Sequence, residues 1–163
     1  MKKLIIIAGS PNSGKTLTTN KLISKLIYEK HFEIEEYFND DSEKEFWNKD
    51  RNGEKKVGGS IALSRDNRKI AIFTYGDTEK AIKYIFEEIY NRDFESIVFC
   101  SHATRGKKVF DKVYEYLKGI DLNEVKVIPI HKNLLANYNK NEMENEYMEN
   151  EYTANLIMEF LEV

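Results

Sequence analysis

The sequence has little of what would tie it to an oxidising compartment, a membrane or a nucleic-acid backbone. Its 163 residues include one cysteine, Cys100, which leaves no partner for an intramolecular disulfide. The apolar run Leu4 to Ala8 is shorter than a signal h-region of about 7 to 15 residues, and no run approaches the ~18 residues of a membrane span. The formal net charge of -3 is unlike that of a uniformly basic nucleic-acid binder. We expect a cytoplasmic protein that does not associate with membranes, and nothing here indicates nucleic acid as a partner.

The composition favours a folded globular chain, because 41% of the residues are hydrophobic and 33% are charged. A chain of 163 residues is long enough to bury a core and has the usual size of one domain. We therefore predict a single domain over 1–163. It carries a polar loop or insertion at about 39–60 and an acidic C-terminal helix at about 141–163.

Apolar runs alternate with stretches of helical spacing along the chain. KLIIIA at 3–8, SIVFC at 96–100 and VKVIPI at 125–130 are typical of buried parallel strands. A shorter strand is predicted at 32–38, and a β-hairpin around the turn RDNR at 60–75. The alternation predicts an α/β fold, a three-layer sandwich whose mainly parallel sheet has helices on both faces.

The octet GSPNSGKT at 9–16 lies between the first strand and an amphipathic helix. Gly9 and Gly14 allow the backbone N–H groups of a loop to turn towards an anion. Lys15 supplies a positive charge, Thr16 supplies a hydroxyl for Mg²⁺, and the following helix directs its positive end at the same place. The octet, with the strand before it and the helix after it, resembles the Walker A motif of P-loop NTPases and small P-loop kinases.

This resemblance implies a P-loop NTPase fold that binds a nucleoside triphosphate with Mg²⁺. ATP is expected rather than GTP, because the chain has no NKxD segment to recognise guanine. Lys15 is expected on an exposed loop, as a catalytic cation, and Thr16 is expected to be a metal ligand. The predicted nucleotide-binding residues are Gly9, Ser10, Pro11, Asn12, Ser13, Gly14, Lys15, Thr16 and Leu17.

P-loop proteins also hold the metal through an acidic residue at the end of a neighbouring strand. Asp77, after KIAIFTYG, is the candidate for this catalytic and metal-binding role, although in the family the acid tends to follow the apolar run directly. The alternative is that Asp77 or Thr78 only caps the next helix. Asp40 and Asp41 are next in line for the metal.

The loop after SIVFC is expected near the phosphates, because α/β sheets bind ligands at the carboxyl ends of their strands. Arg105 is the predicted catalytic residue there, where it would neutralise charge that develops during phosphoryl transfer. The alternative is that the basic residues of this loop are only solvated. Cys100 and Arg105 are one residue too close for a phosphatase loop, so Cys100 is predicted to be a core residue. The other polar candidates of this loop are Ser101, His102, Thr104, Lys107 and Lys108.

Three functions fit the motif. The first is phosphoryl transfer from the nucleotide to water or to a small acceptor, for which the loop at 39–60 offers Asp40 and Asp41 among its aromatic and basic residues. The second is a nucleotide-gated module in which this loop recruits a partner. The third is a nucleic-acid-processing protein that uses Arg65, Arg68 and Lys69 with the basic loop at 105–108.

The C-terminal segment repeats MENEY at 143–147 and 148–152, and it has seven acidic residues and no basic residue beyond Lys140. A five-residue repeat does not keep one face of a helix apolar, so we expect the repeat to be solvated and assign it no function. The last turns, with Ile157, Met158 and Leu161, are expected to pack on the core.

Overall fold

The computed structural model describes residues 1–9, 14–38, 60–74, 76, 78–102, 108–132 and 142–163. In these ranges the strands are β1 (Lys2–Gly9), β2 (Glu33–Tyr37), β3 (Ile61–Arg65), β4 (Arg68–Phe73), β5 (Ser96–His102) and β6 (Val125–Lys132). The α-helices are α1 (Lys15–Tyr28), α2 (Glu79–Tyr84), α3 (Lys108–Lys118) and α4 (Glu142–Leu161), and α2 continues as a π-helical turn, Ile85–Ile89. None of the helices described has both the length and the apolar character needed to cross a bilayer.

The six strands form one mixed sheet in the order β2-β3-β4-β5-β1-β6. β1 lies between β5 and β6 and is parallel to both, and β5 is also parallel to β4. β3 is antiparallel to β2 and β4, and a two-residue turn at Asp66 and Asn67 joins it to β4, as expected for the predicted hairpin. The sheet is therefore parallel around β1 and antiparallel at the far edge.

Alternate residues of β1 face two separate cores. Ile5 and Ile7 belong to a buried cluster with α1 and α4. Leu4 and Ile6 belong to a second cluster with α2, its π-helical turn and α3. A strand that is apolar on both sides is what a sheet covered on both faces requires. The architecture is α/β, consistent with a three-layer sandwich.

Helix α4 packs along α1, and its last turns are buried as predicted, with Ile157 and Leu161 fully covered. The expected solvation of the repeat is wrong at Asn150 of its second copy, although Tyr152 is exposed as expected. Asn150 is buried, and Glu151 forms ion pairs with Lys21 at 2.7 Å and Lys25 at 2.5 Å. The second MENEY therefore provides the polar contacts by which α4 is attached to α1.

Candidate functional site

Three parallel strands end level with one another at the edge of the sheet where the octet begins. Gly9, the last residue of β1, is paired with His102 of β5 and with Lys132 of β6. The chain leaves all three strands at this edge, so the octet and the segments after β5 and β6 start side by side. This is the edge at which open α/β sheets bind their ligands.

The first residue of the octet and its lysine are joined by a hydrogen bond at the end of β1. The ammonium group of Lys15 donates a hydrogen bond to the carbonyl oxygen of Gly9 at 3.0 Å. Gly14 has a left-handed backbone, with φ of 81°, and its carbonyl accepts the first helical hydrogen bond of α1, from the amide of Thr18. A left-handed backbone conformation favours glycine, which explains why the second glycine of the octet occupies this position.

Lys15 is buried, with only 5% of its surface exposed, so the prediction of an exposed loop residue is wrong. It is the first residue of α1, and its side chain is directed back towards the end of β1. The first turn of α1 contains no acidic residue that would offset the positive end of the helix. A buried ammonium and a helix terminus whose own first turn carries no acidic residue thus lie together at the end of β1.

Thr16 connects the start of α1 to the end of β4. Its hydroxyl donates to the carbonyl oxygen of Thr74 at 3.2 Å, although the two residues are 58 positions apart. β4 is separated from β1 by β5, so this contact spans one strand of the sheet. Leu17, the last predicted nucleotide-binding residue, is half exposed on the first turn of the helix.

Gly76 fixes the path of the chain after β4. A Cβ atom at Gly76 would lie 1.7 Å from the carbonyl oxygen of Cys100, so the backbone passes directly against β5 and only glycine fits there. The chain at Gly76 therefore lies over the strand that adjoins β1. Asp77 itself lies outside the described residues.

Asp77 and Thr78 were the two residues expected as a cap of α2, and the cap in the structure is Thr78. Thr78 is the N-cap of α2, and its hydroxyl accepts a hydrogen bond from the amide of Ala81 at 3.1 Å. One such acceptor is sufficient for an N-cap, and Thr78 supplies it.

A buried polar cluster lies beside Gly14, and sequence reasoning did not predict it. The ammonium of Lys132 donates to the hydroxyl of Thr18 at 2.8 Å and to the amide oxygen of Asn150, and Thr18 donates to the same oxygen at 3.0 Å. Glu149 lies 3.6 Å from the Lys132 ammonium. The signal in the sequence that could have indicated this cluster was Lys132, a charged residue close after the apolar run of β6. Its partner Asn150 lies in the repeat that we expected to be solvated.

The loop after β5 begins later than predicted. Ser101 and His102 are strand residues, and Ser101 is buried, whereas Lys108 is the exposed first residue of α3. Thr104, Arg105 and Lys107 lie outside the described residues, as do residues 10–13 and 39–59 with Asp40 and Asp41. Cys100 is buried, as predicted for a core cysteine.

The basic residues of the hairpin are held by contacts within the chain. Arg68 forms a salt bridge with Glu95 and also donates to the carbonyl oxygens of Leu161 and Glu162 at the end of α4. Arg65 donates to the carbonyl of Lys30 at 2.7 Å. Arg68 thus connects the hairpin to the end of α4, and Arg65 connects it to the segment after α1.

Among the described residues no three His, Cys, Asp or Glu side chains lie close enough together to hold a metal ion. Comparisons of the chain with models of protein families, with curated proteins and with solved structures find no match. The fold and the site define an α/β protein with a glycine-rich loop between a central strand and a helix. The chemistry of that loop is the basis for assigning a function.

Proposed function

We propose that the protein binds a nucleoside triphosphate with Mg²⁺, ATP rather than GTP, at the loop Gly9 to Thr16, and transfers the terminal phosphoryl group to water or to a small acceptor. The observation that carries the proposal is the closure of the octet at its base. A lysine and a left-handed glycine, in the spacing of a Walker A motif, meet the end of a central strand at the start of a helix.

The phosphates are the part of the nucleotide that this geometry suits. The first turn of α1 presents backbone N–H groups without an acidic side chain, which favours an anion. The Lys15 ammonium is already desolvated, so its attraction to a phosphate oxygen would be stronger than that of a solvated lysine. Its hydrogen bond to the Gly9 carbonyl would be exchanged for one to the β- or γ-phosphate.

The residues beside Thr16 suit Mg²⁺, which prefers oxygen ligands and keeps several waters. The Thr16 hydroxyl lies within hydrogen-bond distance of the Thr74 carbonyl, and Asp77 follows three residues later in the sequence. Thr78 supplies the cap of α2, so the proposal does not require Asp77 for that role. We therefore assign Thr16 as a direct ligand and Asp77 as a ligand through water.

In phosphoryl transfer the protein acts by positioning and by electrostatic stabilisation. Lys15 and the N–H groups of the loop would hold the oxygens on which negative charge develops, and the bound metal would neutralise part of that charge. Arg105 follows the end of β5 by three residues in the sequence and is the proposed second cation. We propose that the segment 39–60 binds the acceptor of the phosphoryl group.

A nucleotide-gated binding module is the second candidate function. It shares the phosphate site and differs in having slow or no turnover, with the segment 39–60 recruiting a partner. The nucleic-acid alternative is less well supported, because Arg65 and Arg68 are engaged in contacts within the chain.

The experiment that tests the proposal is thermal unfolding with a panel of nonhydrolysable analogues of ATP, GTP, CTP and UTP, each with and without Mg²⁺. We expect the largest stabilisation from the ATP analogue with Mg²⁺. Absence of any shift across the panel would overturn the proposal.

Turnover assays with ATP then separate the candidate functions. Steady phosphate release without an added acceptor indicates a hydrolase, and dependence on a small acceptor indicates a kinase. Tight binding with little turnover in either assay indicates the module, and stimulation by DNA or RNA would restore the nucleic-acid alternative.

A further inference from the structure

The buried cluster of Lys132, Thr18 and Asn150 lies beside Gly14 of the octet. Its side chains come from three elements: β6, α1 and α4. Lys132 and Thr18 are almost completely covered, and Asn150 is 5% exposed. Each residue hydrogen-bonds to the other two, so the three polar groups form a closed triangle.

Asn150 is also in contact with the loop. A Cβ atom placed on Gly14 would lie 2.7 Å from the Asn150 amide oxygen and 3.3 Å from its amide nitrogen. The space beside Gly14 is therefore filled by an amide group. That group cannot turn aside easily, because its oxygen accepts hydrogen bonds from both Lys132 and Thr18.

We propose that Asn150 is a positioning residue for the phosphate-binding loop: held by Lys132 and Thr18, its side chain sets the position of Gly14 and of the first turn of α1. This inference rests on the proposed function, because it gives the cluster a role only if the loop binds phosphate. Asn150 acts through Gly14 and Thr18 and need not touch the nucleotide itself.

The physical reason is that a phosphate site depends on where its backbone N–H groups point. Gly14 precedes the helix, and the amides that follow it give α1 its positive end. If Gly14 is free to shift, these donors no longer converge on one point. Ordering them on binding then costs conformational entropy and lowers the affinity. A buried amide clamped by an ammonium holds the loop in a preformed arrangement.

The cluster also connects the loop to α4. Glu149 lies near the Lys132 ammonium and Glu151 binds Lys21 and Lys25, so three consecutive residues of the second MENEY contact α1 or β6. The repeat thereby gains a role that its sequence does not reveal.

The test compares Asn150→Ala with Thr153→Ala. Thr153 is also buried on α4, but its hydroxyl donates to the Glu149 carbonyl within the same helix. We measure the dissociation constants of inorganic tripolyphosphate and of the Mg²⁺ complex of a nonhydrolysable ATP analogue. We also measure hydrogen exchange of the amides of residues 14–19 without ligand.

We expect Asn150→Ala to weaken binding of both ligands about 10- to 100-fold, by analogy with the loss of a residue that orients a metal ligand. Exchange of residues 14–19 should accelerate more than in Thr153→Ala. If Asn150→Ala binds as tightly as Thr153→Ala, the inference is wrong and the proposed function stands. If the wild-type protein binds neither ligand, both are wrong.

Two further variants keep the test decisive. Thr18→Val removes the hydroxyl at nearly constant volume and should weaken binding in the same direction, so it replaces Asn150→Ala if that variant does not fold. Gly14→Ala should weaken binding more in the wild-type background than in Asn150→Ala, because its new methyl group collides with the amide only when Asn150 is present. Additive effects of the two substitutions would overturn the contact argument.

Discussion

Replacement of Gly76 by alanine is expected to be among the most damaging single-methyl changes in the described parts of the chain. The new Cβ atom would lie 1.7 Å from the Cys100 carbonyl oxygen, a contact that must lengthen by about 1.3 Å to reach even 3.0 Å. Cys100 belongs to β5, which is hydrogen-bonded to strands on both sides, so the oxygen has little freedom to move. The segment between β4 and α2 must therefore shift instead.

The expected cost is about 3 kcal/mol, the upper part of the range for overpacking, because both clashing groups belong to the backbone. For a chain of this size that corresponds to a fall in Tm of about 6 to 12 °C. Gly119→Ala is the matched control, because the nearest atom to its new methyl group would be 3.5 Å away, an ordinary contact. The free energies of unfolding of the two variants, measured by urea and thermal unfolding, should differ by most of this expected cost. Equal stability would refute the described path of the chain at Gly76.

Three further predictions concern the segment after β4 and the attachment of α4. Asp77→Asn should leave the Tm of the ligand-free protein nearly unchanged yet abolish the Mg²⁺-dependent part of nucleotide binding or turnover, whereas retained magnesium dependence would exclude Asp77 as the metal residue. Thr78→Ala should destabilise the protein by about 1 kcal/mol in urea unfolding through loss of the cap on α2, and Thr78→Ser should restore most of it. The hydrogen bond from Arg68 lowers the pKa of the Glu95 carboxyl below its ordinary value, so this pair stabilises the fold at pH values above that ordinary pKa. The stability difference between wild type and Glu95→Gln, measured by urea unfolding from pH 7 to pH 3, should therefore shrink as the pH falls through the folded pKa, and a constant difference would contradict the assignment.

Local patterns in the sequence were sufficient for most of the elements. The apolar runs at β1, β5 and β6 mark strands covered on both faces, and the turn residues of RDNR mark the hairpin. The order of the strands does not follow from these patterns, since periodicity reports which face of an element is buried and not which neighbour buries it. The antiparallel pairing of β3 with β2 is therefore visible only in the fold.

The parts of the site that the sequence did not reveal depend on contacts between distant residues. Asn150 meets Thr18 across 132 positions, and no short motif contains both. The burial of Lys15 likewise does not follow from the octet alone, which predicts an exposed position. A Walker-type octet thus identifies the candidate ligand class, while the support of the loop is a property of the tertiary structure.

The most direct test of the central claim is calorimetric titration of the Mg²⁺ complex of a nonhydrolysable ATP analogue into the wild-type protein and into Lys15→Met. Methionine retains an unbranched buried side chain without the ammonium group, and Lys83→Met, at an exposed position on α2, is the control for loss of one positive charge. We predict saturable 1:1 binding to the wild type and to Lys83→Met. In both proteins the bound analogue should raise the free energy of unfolding by about 2.7 kcal/mol at 100 times the dissociation constant. Lys15→Met should lose most of this binding. No binding by the wild type, or equal binding by Lys15→Met, would contradict the account.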